Sequence, residues 1–267
     1  MKGQMKKLHI DFDGSQVTVI TDVLEISEAL GHHFKYMLTD AVSNGAGRIV
    51  VKSAPSGFAI ETMAGRGLRE VTVGQIVEEL KNEVHVQFMR TRPDLMWLHA
   101  AGVRREGRVL LLCGESGQGK STLAYLLRDM GWRFLADDVV AVTRDEAYCI
   151  PFPKVAKRRI DPGKRIPGSD INRLAAEEID LGLVTSEVEA APVSHLVFIS
   201  FEHGVTPSLS RLSPGETALR AITSMSNFCD LKEVAVTAAA AQAQRIPGYS
   251  LVYGISTEAA AVLNELS

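Results

Sequence analysis

The sequence predicts an α/β core preceded by a small α+β module, and three observations support this. A glycine-rich segment at residues 114–121 lies between an apolar run and an amphipathic stretch. A second apolar run, residues 132–136, ends in paired carboxylates. Residues 1–93 show hairpin and helix patterns but no cluster of reactive side chains. We therefore expect an N-terminal module over residues 1–93 and the core over residues 94–267.

The glycine-rich segment, GESGQGKS, matches the phosphate-binding pattern G-x-x-x-x-G-K-[ST] at every fixed position. Glycines permit backbone angles that turn successive N–H groups into one concavity. Lys120 can reach the β- and γ-phosphates of a nucleotide, and Ser121 can bind Mg²⁺ through its hydroxyl. The segment predicts ATP and Mg²⁺ as ligands. The candidate nucleotide-binding residues are Gly114, Ser116, Gly117, Gln118, Gly119, Lys120, Ser121 and Thr122.

Both flanks of this loop have the expected pattern. The unbroken apolar run at residues 109–113 predicts a strand buried on both faces. Apolar residues then recur at helical spacing, so a helix should begin where the loop ends and direct its N-terminal dipole at phosphate. Gly131 occupies the position of a glycine that ends this helix. The expected apolar stripe is Leu123, Leu126, Leu127 and Met130.

Asp137 and Asp138 follow the second predicted core strand, residues 132–136. A carboxylate at the tip of the strand beside a phosphate loop is where such enzymes hold magnesium. Two carboxylates permit a division of labour, with one on the metal and one accepting a proton from an attacking hydroxyl. The alternative is that the pair only forms a polar strand end.

His99 lies in a predicted strand at residues 97–103, joined to the next strand by a turn at residues 104–107. Such a hairpin would bring His99 near the phosphate loop. A histidine in an apolar strand is also commonly a core residue, so both readings stay open.

Three elements together, His99, the loop at residues 114–121 and the segment Leu135-Ala136-Asp137-Asp138, resemble the catalytic core of the HPr kinase/phosphorylase family. The chain is more similar still to HPr-kinase-related proteins of peptide biosynthesis, including lasso-peptide precursor kinases. That similarity extends over residues 95–267. It is carried by Leu98-His99-Ala100, Gly131-Trp132, Pro151-Phe152-Pro153, residues 196–199 and residues 210–214.

The resemblance implies a P-loop kinase core of the HPr kinase/PEP carboxykinase-like type and ATP-dependent phosphorylation of a serine hydroxyl. The family's proposed base is the first aspartate, which is Asp137 here. Asp138, with Ser121, would then hold the metal, while His99 and Lys120 would act at the phosphate. The glycine- and arginine-rich segment that follows the core in true HPr kinase/phosphorylases has no clear equivalent here. The resemblance therefore does not extend to HPr as the substrate or to the reverse phosphorylase activity.

The acceptor implied by the resemblance is a serine in a peptide or protein, such as a ribosomally made precursor peptide. A kinase acting on a small hydroxylated molecule and a non-catalytic ATP-binding regulatory module are the alternatives. A basic run at residues 154–165 is either a solvated face or a source of cations that close over phosphate. The candidates for phosphate contact are Lys154, Lys157, Arg158, Arg159 and Arg211.

Composition narrows the class of protein. The chain has 267 residues, 46% hydrophobic residues and a net charge of -3, which argues against a nucleic-acid-coating role. Three widely spaced cysteines fit reduced thiols. Neither a signal-peptide pattern nor a membrane-length apolar run is evident. We expect a cytoplasmic protein that binds neither nucleic acid nor membrane, with a homo-oligomer left open.

The N-terminal module should contain hairpins and two helices. Strands are predicted at residues 8–12, 16–20, 47–52 and 57–61, with a helix over residues 22–40 that buries Leu24 and Leu38. Residues 65–67 look like a short turn. Thr72 and Gln75 predict a capping box for a second helix that ends near residue 90. Partner recognition and simple packing are both open uses of this module.

Beyond the paired aspartates, strands are predicted at residues 139–142, 148–150, 192–201 and 249–253. Residues 166–191 should form a connection with one helix. Ser213 should cap a helix that buries Leu219, and an alanine-rich helix should span residues 231–245. Thr257 should cap the final helix.

Overall fold

The computed structural model describes residues 4–43, 47–159, 176–179 and 189–266, with residues 156–159 and 176–179 described as backbone only. The chain divides into two compact units, Met1–Pro93 and Asp94–Ser267. Both units contain sheets and helices, so the mixed α/β class is confirmed. No helix among the described residues is both long enough and apolar enough to span a membrane.

The N-terminal unit is a five-stranded sheet with two helices. Its strands lie in the sheet in chain order, and only the second and third are parallel. Its core contains fully buried side chains from both the strands and the helices, including Ile10, Val19, Leu30, Leu80 and Phe88. The strands are β1 (Lys6–Phe12), β2 (Ser15–Thr21), β3 (Gly47–Ala54), β4 (Gly57–Thr62) and β5 (Gly65–Arg69), and the helices are α1 (Leu24–His33) and α2 (Val73–Thr91).

The first helix is shorter than predicted. It ends at His33 instead of continuing to residue 40, because the backbone beyond it pairs with β1. The Asp11 N–H donates to the Met37 carbonyl at 2.8 Å, and Ile10 and Leu38 form an isolated β-bridge. The edge of β1 thus gains a partner that a longer helix could not offer. Leu24 and Leu38, predicted to be buried, are 56% and 42% exposed.

A second correction concerns residues 65–67, which begin β5 and do not form a turn. The antiparallel register sets Arg66 opposite Glu61, and their side chains form an ion pair at 2.9 Å. Charge pairing across strands stabilises such a register. The predicted capping box is confirmed: the Gln75 N–H donates to the Thr72 hydroxyl, and the Thr72 N–H donates to the Gln75 side chain.

The C-terminal unit contains a nine-stranded sheet, a separate two-stranded ribbon and five helices among its described residues. The strands of the main sheet are β6 (Leu95–Leu98), β7 (Ala100–Arg105), β8 (Arg108–Cys113), β9 (Arg133–Ala136), β10 (Val140–Thr143), β11 (Tyr148–Ile150), β14 (Ala191–Phe201), β15 (Ser208–Arg211) and β16 (Gly248–Tyr253). The ribbon pairs β12 (Ala156–Arg159) with β13 (Ala176–Ile179). The helices are α3 (Lys120–Asp129), α4 (Pro214–Thr223), α5 (Phe228–Leu231), α6 (Glu233–Ala243) and α7 (Ser256–Asn264).

The centre of this sheet positions the glycine-rich loop. Strand β14 runs parallel to β8 on one side and to β16 on the other. The carboxyl ends of these three strands therefore meet at one edge, which is where ligands bind in open α/β sheets. Helices α3 and α7 cover one face through a fully buried apolar cluster that includes Leu112, Leu123, Val197, Tyr253 and Leu263.

The end of α3 is confirmed as predicted. Gly131 has φ 92°, its N–H donates to the Arg128 carbonyl at 3.0 Å, and the Trp132 N–H donates to the Leu127 carbonyl at 3.1 Å. This pair of bonds is the Schellman motif, which needs the left-handed conformation that glycine adopts without strain. Met130, predicted in the buried stripe, is 38% exposed because it lies beyond the last helical residue.

The predicted single strand at residues 97–103 is wrong, because it is interrupted at His99. Strand β6 pairs with β10, whereas β7 pairs with β8 and β9. At the break, the His99 N–H donates to the Ser224 carbonyl at 2.7 Å. His99 thereby leaves the sheet ladder, and its side chain is 34% exposed instead of buried in the core.

Three predictions near the C-terminus are also corrected. Leu219 is 62% exposed because α4 faces the core with Thr217, Ala218 and Ala221. The alanine-rich helix is split at Lys232, whose φ of 48° separates α5 from α6. Helix α7 begins two residues earlier than predicted, so Ile255 is its N-cap and Thr257 does not cap it.

Most of the predicted connection at residues 166–191 lies outside the described residues. Within it, residues 176–179 are a strand and not a helix. These residues are extended because they pair with β12, which satisfies their backbone N–H and C=O groups; a helix would satisfy such groups internally. Lys164 and Arg165 of the basic run also lie outside the described residues.

Candidate active site at the edge of the central sheet

The loop from Gly114 to Gly119 leaves β8 and enters α3 through two left-handed glycines. Gly117 has φ 94° and Gly119 has φ 89°. A Cβ at Gly119 would collide with the Tyr253 hydroxyl, and a Cβ at Gly114 would come within 2.9 Å of the Ile199 carbonyl oxygen. Backbone conformation and lack of space both require glycine here.

Residues at the ends of β14 and β16 anchor the loop through hydrogen bonds to Gln118. The Tyr253 hydroxyl donates to the Gln118 carbonyl at 2.7 Å. The Phe201 N–H donates to the Gln118 side-chain oxygen at 2.6 Å. Gln118, predicted to bind nucleotide, therefore ties the loop to the sheet. Tyr253 was missed by sequence reasoning, since a tyrosine at a strand end is typical of an ordinary core position.

Lys120, the first residue of α3, is only 6% exposed and lies at the mouth of the loop. Its ammonium donates to the carbonyls of Gly114 at 2.7 Å and Glu115 at 3.0 Å. The ammonium also lies 2.9 Å from the Nε2 atom of His99. A cation so placed is available to the phosphate groups that this kind of loop surrounds.

The His99 ring joins Lys120 to Asp138. Its Nδ1 atom lies 2.9 Å from the Asp138 carbonyl oxygen and 3.3 Å from Oδ1 of the same residue. Because a carbonyl only accepts, Nδ1 carries the proton and Nε2 accepts from the Lys120 ammonium. The neighbours thus select one neutral tautomer of the ring.

Asp137 follows β9 directly and is 5% exposed. The Ser121 hydroxyl lies 2.8 Å from its Oδ1 and 3.0 Å from its Oδ2, and donates to this carboxylate. Burial raises the pKa of Asp137 above the ordinary range of an aspartate, and the charge of Lys154 is the largest influence that lowers it. The Asp137 carboxylate is therefore buried, and the Ser121 hydroxyl is hydrogen-bonded to it.

Asp138 faces outward, in contrast to its neighbour. Its φ of 70° turns its side chain away from the strand, and 54% of that side chain is exposed. Oδ2 lies 3.5 Å from the ammonium of Lys154. A non-glycine residue in the left-handed region is uncommon and costs free energy, so it is worth a functional explanation.

The structure separates the cationic candidates. Lys154 is 6% exposed and points at Asp138. Lys157, Arg158 and Arg159 lie in β12, which is described as backbone only. Arg211 is exposed on β15 opposite Tyr249, away from the loop. Lys154 is therefore the candidate that reaches this cluster.

Five of the predicted residues are thus brought together, and the rest of the loop surrounds them. Ser116, within the loop, and Thr122, in α3, are both exposed. The described residues contain no group of three or more His, Cys, Asp or Glu side chains that could hold a metal by themselves. A metal at this edge would take some of its ligands from a bound phosphate, as Mg²⁺ commonly does. The residues brought together are His99, Lys120, Ser121, Asp137 and Asp138.

Comparisons with known proteins add little to this geometry. No protein-family model and no curated protein matches the chain. Among solved structures, the HPr(Ser) kinase/phosphatase from Coxiella burnetii is similar over 64% of this chain and 92% of that chain, at 15% sequence identity and a TM-score of 0.35. A likeness this distant shows nothing about the activity of this chain.

Proposed function

We propose that this protein is an ATP-dependent kinase that transfers the γ-phosphoryl group to a serine hydroxyl. The observation that carries the proposal is one connected cluster at the edge of the sheet. A glycine-rich loop, a buried lysine, a serine bound to a buried carboxylate and a second, exposed carboxylate all meet there. Phosphoryl transfer requires phosphate binding, charge neutralisation and an oriented acceptor, and these groups can supply all three.

The phosphates are the part of ATP that this loop suits. Backbone N–H groups of the loop and the N-terminus of α3 favour anions. In the proposed complex the Lys120 ammonium exchanges its two carbonyl partners for β- and γ-phosphate oxygens. Its bond to His99 Nε2 then keeps it aligned. Lys120 would thus neutralise charge that develops during transfer.

The Ser121 hydroxyl and the Asp137 carboxylate fit a Mg²⁺ ion. Both groups offer oxygen atoms, the ligands that Mg²⁺ prefers, and these atoms lie within hydrogen-bond distance of each other. Mg²⁺ commonly uses few protein oxygens and completes its coordination with phosphate and water. When bound, Mg²⁺ supplies charge neutralisation on the β- and γ-phosphates. Ser121 and Asp137 orient each other for that role.

The resemblance assigns the base to Asp137 and the metal to Asp138, whereas the geometry favours the opposite division. A general base must reach the proton that it removes, and access is judged before pKa. Asp137 has the raised pKa, but it is buried and bonded to Ser121. Asp138 is exposed at the same edge. We therefore assign proton acceptance to Asp138, with His99 as the residue that positions it.

Lys154 completes the proposed site. Its ammonium lies 3.5 Å from Oδ2 of Asp138, so it can help to hold this carboxylate in place at the edge of the sheet. When the acceptor hydroxyl attacks phosphorus, the bond to the leaving oxygen of ADP breaks and the hydroxyl proton passes to Asp138. The cation is then close to the transferring group and can stabilise its charge.

The acceptor rests on the resemblance to peptide-modifying kinases, so a serine of a precursor peptide is the proposed substrate. The test is incubation with Mg²⁺, ATP and peptides encoded near the gene, followed by mass spectrometry. The expected result is a gain of one phosphoryl group on serine. The same assay with small hydroxylated molecules tests the first alternative substrate class.

A non-catalytic ATP-binding module would give a different pattern. It would bind ATP but transfer no phosphoryl group to peptide, to a small hydroxylated molecule or to water. That result, obtained with folded protein and measurable ATP binding, would contradict the kinase proposal.

A further inference from the structure

The N-terminal unit contains an open slot between β5 and α2. Its volume is about 240 Å³. Ile60 and Leu80 form an apolar floor, and charged side chains from both elements form the rim. The volume is below the roughly 300–1,000 Å³ of typical small-molecule sites, so the slot suits one long side chain better than a whole ligand.

Two glycines create this slot. In the β4–β5 register Gly67 lies opposite Ile60 and Gly65 lies opposite Thr62. Alternate strand residues point to the same face, so both glycines occupy positions on the α2 side where side chains would otherwise fill the space. A Cβ built at Gly65 meets nothing within 4 Å. Glycine in a strand often marks a place where another backbone approaches closely.

Strand β5 also has a free edge in the part of the chain that the structure describes. It lies at the end of the five-stranded sheet and pairs with β4 alone. Its residues are exposed except Gly67, which is half-buried. An edge strand offers a row of backbone N–H and C=O groups to a further strand. The adjacent exposed apolar residues Met63 and Leu68 favour such an addition.

The charges of the rim indicate which side chain would enter the slot. Arg69 is paired with Glu79 at 2.7 Å, and Arg66 is paired with Glu61 at 2.9 Å. Glu83 is half-buried, and its carboxylate accepts from the Gln87 amide at 2.7 Å without a cationic partner among the described residues. Of the two carboxylates that line the slot, Glu79 is paired with Arg69, which leaves Glu83 as the one that could bind a cation from a partner.

We propose that β5 binds an extended peptide segment as an added strand, and that one lysine or arginine of this segment enters the slot and pairs with Glu83. The added strand supplies backbone hydrogen bonds, while the slot selects the side chain by its length and charge. This recognition site lies in the unit without the phosphate loop. The proposal does not depend on phosphoryl transfer, and its failure would leave the kinase proposal untouched.

The test uses the full chain and short fluorescent peptides of alternating threonine and valine, with lysine, leucine or glutamate at the central position. Fluorescence anisotropy should show binding of the lysine peptide above the other two. N-methylation of alternate backbone nitrogens in the lysine peptide should abolish binding, because it removes the donors of one strand edge.

Two variants locate the binding. Gly67→Leu fills the slot, and its Cβ meets only the flexible end of the Arg69 side chain, so the fold should be kept. It should remove detectable binding. Glu83→Gln should weaken binding of the lysine peptide about tenfold and leave the leucine peptide unchanged. The matched control is Ala59→Leu, which adds the same side chain on the opposite face of the neighbouring strand.

Several results would overturn the proposal. These are no binding of any peptide, equal binding of the lysine and glutamate peptides, and full binding by Gly67→Leu or by the N-methylated peptide. A concentration-dependent dimer that Gly67→Leu disperses, measured by light scattering, would instead mean that β5 pairs with a second copy of the chain. That outcome would also overturn the peptide proposal.

Discussion

Gly119 illustrates how one residue connects loop conformation to the proposed chemistry. Its φ of 89° lets the chain turn from the loop into α3, and its missing side chain leaves room for the Tyr253 hydroxyl that holds Gln118. The pattern G-x-x-x-x-G-K-[ST] predicted the glycine. It could not predict Tyr253, because that contact joins residues far apart in sequence.

Gly119→Ala should therefore impair both folding and nucleotide binding. A left-handed alanine costs about 1–2 kcal/mol, and the Cβ would also displace Tyr253. We expect ATP affinity to fall about tenfold or more, measured by isothermal titration calorimetry. Gly131→Ala is the control: its φ is similar at 92°, but its Cβ meets nothing within 4 Å. That variant should lose stability and keep ATP affinity.

The Tyr253 hydroxyl supplies a second check. In Gly119→Ala, the collision is with this one atom, so Tyr253→Phe added to it should restore part of the lost affinity. Alone, Tyr253→Phe removes the bond to Gln118 and should weaken ATP binding. Additive losses in the double variant would contradict the steric explanation.

The three cysteines should differ in reactivity. Burial raises the pKa of Cys113 and of Cys149 to about 12, whereas Cys229 is exposed. Only the thiolate is alkylated, so native protein treated with iodoacetamide near neutral pH should be modified at Cys229 alone. Peptide mapping measures this, with urea-unfolded protein as the control. Rapid modification of Cys113 in the native protein would mean that β8 is not buried as described.

Among the helices and strands, those specified by local chemistry were predicted well. The Thr72 capping box, the Gly131 helix end and the strand before the loop all depend on residues adjacent in sequence. Errors arose where distant residues compete for the same backbone. The strand break at His99 depends on Ser224, and the early end of α1 depends on pairing with β1. Neither contact leaves a signal in local periodicity.

The two capping boxes provide a pH test at the level of helices. Ser213 and Glu216 cap α4, and the hydrogen bonds from Ser213 lower the pKa of Glu216. A carboxylate whose pKa is lowered by folding stabilises the protein above its unfolded-state pKa. That contribution is lost as the pH falls through the lower, folded-state pKa. The box of α2 uses uncharged Gln75 instead.

Ser213→Ala should therefore lower the melting temperature at neutral pH, and this difference should shrink as the pH falls through the acidic range in which Glu216 becomes protonated. Thr72→Ala should also lower the melting temperature, but by an amount that does not change over the pH range in which Glu216 becomes protonated. Circular dichroism during heating measures both. A pH-independent effect of Ser213→Ala would show that the charge of Glu216 contributes nothing to the cap.

For the molecule as a whole, the division into Met1–Pro93 and Asp94–Ser267 places the two proposed binding sites in different units. The C-terminal unit contains the proposed phosphotransfer site, and the N-terminal unit contains the slot at β5. The N-terminal unit has its own buried core, including Ile10, Ile49, Leu80 and Phe88. Residues 1–93 expressed alone should therefore unfold cooperatively in urea. A gradual, non-cooperative transition would contradict an independent core.

The candidate site, like the helices and strands, could be predicted only where it depends on residues that are close together in sequence. The loop, His99 and the aspartate pair were predicted as site residues because each belongs to a short motif or to the family resemblance. The resemblance assigned the base to Asp137 and the metal to Asp138, but the residues themselves could not test this division, because the sequence does not reveal which of two adjacent side chains turns inward. Burial of one and the φ of 70° of the other distinguish them only in three dimensions.

In the proposed mechanism, Asp138 accepts the proton from the acceptor hydroxyl, while Asp137 binds Ser121 and the metal. The most direct measurement compares the rates at which Asp138→Asn and Asp137→Asn transfer the labelled γ-phosphoryl group of ATP to a peptide substrate. The affinity of each variant for MgATP is measured in parallel. We predict that Asp138→Asn lowers the transfer rate about 10²–10⁴-fold at unchanged MgATP affinity, whereas Asp137→Asn weakens MgATP binding and raises the Mg²⁺ requirement. Full transfer activity in Asp138→Asn would contradict the account.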